Sequence, residues 1–216
     1  MNEVVLLDSM GDDLAIVNAA RVSMAKQSHR GENGQLKPED VKLINYLAKH
    51  NHFTPFGQVT FKFRFKMPIF VVRQWYKHKV GLIENEVSRR YVSDEPEFFM
   101  PEYFRPAAEN VKQGSDDVKH ENSEFWKKRF DFYYVGCKQM YLDAIADGVC
   151  PEQARMILPQ AMMTEFIQTG SLAAYARICK LRQDNHAQKE IQWYANEVSE
   201  AIEMRCPVSW KALMEN

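Results

Sequence analysis

Apolar residues recur along the chain at two spacings, and the changes between them mark out the elements. The clearest stretch runs from Gln58 to Lys66, where Val59, Phe61, Phe63 and Phe65 alternate with Thr60, Lys62, Arg64 and Lys66. A period of two sends successive side chains to opposite faces, so this predicts a strand with one buried and one cationic face. Val4 to Leu7 make Asn2–Leu7 a second, shorter strand. Helical spacing predicts a helix over Asp12–Val22, with Asp12 or Asp13 as its N-cap. Pro38 opens another helix with a stripe of Leu43, Ile44 and Leu47, and Pro68 opens one reaching about His78. Glu121–Ala146 reads as a long amphipathic helix, with Phe125, Phe132, Tyr133 and Leu142 among its apolar positions and Gly148 ending it. A short helix over Pro151–Leu158, a strand over Ala161–Gln168 and, after Gly170, a helix over Ser171–Leu181 follow. A last helix covers about His186–Arg205 and stops at Pro207. Ser28–Gln35 is a loop, and Pro96, Pro101 and Pro106 make Glu95–Asn110 an extended connection. No repeat or boundary signal interrupts the chain, so residues 1–216 are expected to form one α+β domain.

Composition narrows the function classes. A length of 216 residues suits one domain with a substantial core, and is too short for a dinucleotide-binding domain beside a separate substrate domain. Apolar residues at 45% and charged residues at 26% exclude a disordered chain. Lys plus Arg is 28 and Asp plus Glu is 29, a formal net charge of -1, which argues against a globally basic nucleic-acid binder. Cys137, Cys150, Cys179 and Cys206 form no C-x-x-C pair and no zinc spacing with histidine, so no metal site is expected. With no leader-like start and no apolar run near the roughly 18 residues of a membrane span, the expectation is a reduced, cytoplasmic protein without a membrane partner. G-x-G-x-x-G, P-loop and G-x-S-x-G motifs are absent.

The densest chemistry lies in Arg73-Gln74-Trp75-Tyr76-Lys77-His78-Lys79 and Asn85-Glu86-Val87-Ser88-Arg89-Arg90-Tyr91. One reading is a solvated helix face followed by a basic loop. Three details favour a ligand. On a helix, Gln74 and His78 share a face and present an amide beside an imidazole. Gly81 allows close approach of the backbone. Ser88 and Arg90 combine a hydroxyl with a planar fork of donors, which suits a phosphate. Arg155, Arg177, Arg182 and His186 form a second group. There Asn185 and Gln188 have capping-box spacing, a helix start is the plainer explanation of Asp184 and Asn185, and a salt bridge is that of Arg182. A single-strand nucleic-acid module, with Lys62, Arg64, Lys66 and the Lys77–Arg90 cations beside Trp75, Tyr76 and Tyr91, stays open as an alternative.

The blocks Ala19–Ser23, His52–Phe56, Pro68–Trp75, Asn85–Tyr91, Ala154–Pro159 and Leu181–Gln188 together resemble the flavin-dependent thymidylate synthases, the ThyX family. The resemblance covers most of the chain. It implies a ThyX-type α+β fold, a mainly antiparallel sheet with packed helices. It also implies reductive methylation of dUMP to dTMP, with 5,10-methylenetetrahydrofolate as carbon donor, NADPH as reductant and FAD as cofactor. Arg182 then corresponds to the catalytic guanidinium at the uracil edge. The dUMP set is Gln74, Trp75, Tyr76, Lys77, Glu86, Val87, Ser88, Arg89, Arg90, Arg155 and Arg182. The FAD set is Thr54, Lys77, His78, Lys79, Glu86, Ser171, Leu172, Ala173 and Arg177. A homotetramer with sites at subunit interfaces is implied, as is a non-catalytic role for the cysteines. The sequence departs from the family pattern at several points: Lys77-His78-Lys79 replaces Arg-His-Arg, and eight residues instead of seven precede Ser88. Gly57 and Gln58 stand where an acidic residue and a histidine are usual, and Arg177 stands where asparagine is frequent. A non-catalytic nucleotide-binding relative is the alternative that these departures raise.

Overall fold

The alternation at residues 58–66 does become a strand. In a computed structural model describing residues 2–108 and 115–216, the elements run β1 (Glu3–Met10), α1 (Asp13–Arg21), α2 (Pro38–Lys49), β2 (Thr60–Pro68), α3 (Ile69–Trp75), β3 (Leu82–Glu86), α4 (Ser123–Ala146), α5 (Pro151–Ala154), β4 (Met163–Ser171), α6 (Leu172–Arg182), α7 (Lys189–Glu203) and α8 (Pro207–Glu215). The strands form one antiparallel sheet in the order β1-β2-β4-β3, an α+β architecture as expected. No helix among the described residues is long and apolar enough to cross a membrane.

Backbone proximity divides the chain into two units. The first draws on Lys66–Tyr76 and the described part of Glu86–Phe166, and the second on Glu3–Phe65, Lys77–Asn85 and Ile167–Asn216. In the second, Phe61, Phe63 and Phe65 are wholly buried, and Tyr175 of α6 meets Phe63 edge-on at 5.3 Å between ring centroids. Asp12 caps α1, its carboxylate accepting the Ala15 N–H. Helix α6 buries Leu172 through Ala176, Ile178 and Cys179, so it is a core helix more than an amphipathic one. Burial pushes the Cys179 thiol up, and it pushes the Cys206 thiol up to about 12, so both stay protonated and unreactive.

In the first unit, α4 packs Tyr134, Cys137 and Tyr141 inward, with Phe98 stacked on Tyr134 at 5.0 Å. The extended connection pairs with the chain entering β4, Phe99 donating to the Ala161 carbonyl and Met163 to that of Glu97. The expected end of that connection, Asn110, lies outside the described residues.

Five expectations are corrected. Helix α3 ends at Trp75, with the Tyr76 N–H closing its last turn on the Val72 carbonyl, so His78 lies in a loop and shares no helical face with Gln74. The β3 strand replaces part of the basic loop anticipated after Gly81. Pro207 starts a helix: Asp13 accepts the Val208 and Ser209 N–H groups at 3.1 and 2.9 Å, a cap supplied from the far end of the sequence. The Asn185–Gln188 capping box does not form. Asp184 instead holds the His186 N–H in a turn, and α7 begins at Lys189. On α4, Phe125, Phe132 and Tyr133 are 55, 83 and 52% exposed, away from the helix's packed side.

Candidate active site

The first unit brings Ser88, Arg90 and Arg155, expected to bind a phosphate, close to the Glu152 carboxylate. Glu86 at the end of β3 accepts the Thr164 hydroxyl at 2.8 Å, and Val87 donates to the Glu165 carbonyl at 2.9 Å. These two bonds fix the start of the Ser88 segment on β4. The Ser88 hydroxyl then accepts the Arg90 N–H at 3.3 Å, a local turn that a short hydroxyl side chain favours. Arg90 Nε donates to Glu152 Oε1 at 2.7 Å, and Arg155 Nε donates to the Glu152 carbonyl at 3.3 Å. Arg89 turns aside, donating to the Asp94 carbonyl with its guanidinium 5.9 Å from the Tyr141 ring. Ser88 thus joins Arg90 through the Arg90 N–H, and Arg90 and Arg155 are linked through Glu152. Nothing in the sequence marks that residue, because its partner Arg90 lies 62 positions away. Gln74 is half-buried at the end of α3, Trp75 is wholly buried, and Tyr76 packs edge-on against Phe166 at 5.0 Å.

The second unit holds a loop against α6. Gly81 takes a left-handed φ of 79°, and a Cβ there would lie 3.2 Å from Ala174 Cβ and Ser171 Oγ. Its carbonyl accepts the Ser171 N–H at 3.2 Å. Ser171 caps α6, accepting the Ala174 N–H at 3.2 Å. Arg177 Nη2 donates to the Val80 carbonyl, and Arg182 Nε donates to His78 Nε2 at 3.1 Å. An acceptor at Nε2 means a neutral ring with its proton on Nδ1. Burial, then the charges of Arg182 and Arg177, hold His78 below its ordinary value of 6.5, in agreement with that tautomer. Burial also lowers the basicity of Arg182. Lys79 pairs with Glu84, while Lys77 and Thr54 are exposed.

Ala173 and Arg177 border a groove of about 250 Å³ in the second unit. Leu47, Phe56 and Ala176 line it with apolar surface, and His52, Arg177 and Lys180 add basic side chains. Apolar surface beside cations fits a planar ring system carrying phosphate, so these residues suit part of a flavin nucleotide. Leu172, expected among the flavin contacts, has no exposed surface and is a core residue of α6.

The family described as "Thymidylate synthase complementing protein" matches residues 5–208 of the chain. A flavin-dependent thymidylate synthase of Thermus thermophilus is 40% identical over 212 residues, covering 98% of this chain and 75% of that protein. The chain belongs to the flavin-dependent thymidylate synthase family. The flavin-dependent thymidylate synthase of Thermosipho africanus is 36% identical over 214 residues, 97% of this chain and 90% of that protein. Among solved structures, the UMP/dUMP methylase PolB of Streptomyces cacaoi, bound with 5-Br UMP, matches with a TM-score of 0.87 at 25% identity, covering 100% of this chain and 94% of that one. The same methylase bound with 5-Br dUMP gives 0.86 at 26% identity. The expected fold of a flavin-dependent thymidylate synthase is therefore the one observed.

Proposed function

We propose that this enzyme carries out reductive methylation of dUMP to dTMP, with 5,10-methylenetetrahydrofolate as carbon donor, NADPH as reductant and FAD as cofactor. The observation that carries this reading is the Arg182–His78 pair, a guanidinium held by a neutral imidazole. The methylated uracil carbon becomes nucleophilic only as negative charge develops on the ring. A fixed cation at the ring edge lowers the energy of that charge, as oxyanion-hole donors do in acyl transfer. Arg182 is the group we assign to that role. His78 fixes its orientation without neutralising it.

Ser88, Arg90 and Arg155 hold the dUMP phosphate, which replaces the Glu152 carboxylate on Arg90. Gln74, Tyr76, Lys77, Glu86, Val87 and Arg89 border the nucleotide, with Trp75 as a buried support. FAD supplies the hydride relay when bound. Thr54, Lys77, His78, Lys79, Glu86, Ser171, Ala173 and Arg177 hold it, and Leu172 supports them. The site in this reading needs no cysteine. The assembly is a homotetramer with sites at subunit interfaces, a reading supported by the exposed aromatic residues of α4. The cytoplasm is the compartment, and neither nucleic acid nor membrane is a partner.

The test is the absorbance spectrum of the purified protein with FAD, then with dUMP and NADPH. A flavin spectrum that bleaches with NADPH in a dUMP-dependent manner is expected. Turnover without flavin overturns the reading, and dUMP binding without flavin binding selects the non-catalytic relative instead.

A further inference from the structure

Two arginines of α6 grip the loop between α3 and β3, at different kinds of atom. Arg182 reaches the His78 ring and Arg177 reaches the Val80 carbonyl. Main-chain bonds tie the loop at its far end, Leu82 N–H to the Lys79 carbonyl at 3.4 Å and Ser171 N–H to the Gly81 carbonyl at 3.2 Å. Gly81 closes that end tightly against Ala174 and Ser171. Between Gly81 and His78, the Val80 carbonyl is where a side chain of α6 meets the loop backbone.

We propose that Arg177 is a positioning residue: by holding the Val80 carbonyl it fixes the Lys77–Gly81 loop on α6 and keeps His78 in register with Arg182. The guanidinium of Arg177 is long enough to cross from α6 to the Val80 carbonyl, two residues past the His78 that Arg182 holds. Arg177 thereby acts through the loop, as well as bordering the groove. The proposal rests on the functional reading only for the importance of His78 and Arg182 to the reaction.

The experiment uses the full chain with isotope-labelled histidine and arginine side chains. It compares wild type with Arg177→Met, Arg177→Gln and Arg177→Lys. The groups bearing on His78 are Arg177 and Arg182 from α6, with Lys77 and Lys79 beside it in the chain and Glu84 engaged by Lys79. Two readouts are taken, the His78 titration midpoint and the solvent exchange of the Arg182 Nε–H. Arg177→Met is expected to raise the midpoint by roughly half a pH unit or more. It is also expected to speed Nε–H exchange roughly five- to tenfold, the loss of one hydrogen bond's protection. Arg177→Lys restores much of both. Arg177→Gln, too short to span the same distance, behaves as Arg177→Met and carries the test if that variant does not fold. A raised midpoint with unchanged Nε–H exchange means that Arg177 acts by charge alone and overturns the proposal, as does no change in either readout. Neither readout involves flavin, dUMP or turnover, so failure here is distinct from failure of the proposed activity.

Discussion

Arg90 meets an exposed carboxylate, whereas Arg182 meets a half-buried neutral imidazole. The first pairing is exchangeable. Both partners are about half exposed, so the Coulomb gain is screened and the ion pair contributes at most about 1 kcal/mol. A phosphate dianion offers Arg90 and Arg155 more charge and more acceptor atoms than Glu152 does. The second pairing is fixed. His78 cannot cancel the charge it orients, and burial reduces the water available to screen that charge. In the proposed reaction the first region would trade anions, and the second would keep a cation in place while charge appears beside it.

The largest effect should follow from removing the fixed cation. Arg182→Ala is expected to lower dTMP formation by about 10²–10³-fold with the flavin spectrum retained, measured by single-turnover assay and absorbance. A loss confined to dUMP affinity would make Arg182 another exchangeable cation and erase the contrast. Next comes Arg90→Ala, expected to weaken dUMP binding about ten- to a hundredfold by calorimetry, the value of hydrogen bonds to a charged group. Glu152→Gln removes the competing carboxylate and should tighten the same binding up to about fivefold. If it weakens binding instead, Glu152 positions Arg90 and does not compete for it. The smallest effect is on stability against pH. The folded state holds His78 below its ordinary 6.5, so folding favours the neutral ring. That contribution is complete above 6.5 and is lost as pH falls through the lowered folded-state value. The wild type should therefore show a steeper decline in melting temperature below 6.5 than His78→Gln.

Local patterns are readable in the sequence and distant pairings are not. The β2 alternation, the Asp12 cap and the α4 ending at Gly148 each depend on neighbours a few residues apart, and each is found. Helix α8 has a local start signal in Pro207, which fits a helix's first turn as well as a helix's end, but its cap, Asp13, lies 195 positions from Val208 and is invisible locally. The β3 strand is five residues with one buried side chain, too little for a period to declare itself. Aromatic residues occupy several sides of α4, and hydrophobicity alone does not say which side packs. The block order names the candidate residues, and the resemblance expects a catalytic guanidinium at Arg182 where local spacing alone suggests a salt bridge; only the fold brings His78, 104 positions away, to its Nε. Glu152 carries no signal, since an acidic residue in a helix's first turn is ordinary.

Gly170 precedes the Ser171 cap, and a Cβ added to it would lie 2.3 Å from Leu82 Cδ2 and 3.0 Å from the Tyr175 ring. Even alanine would have to move β3 or the core tyrosine to fit. The position therefore acts as a spacer whose function is to hold no atoms. A search that diversifies the approach to α6 has no room to begin at residue 170, where an added side-chain atom meets β3 or the Tyr175 ring.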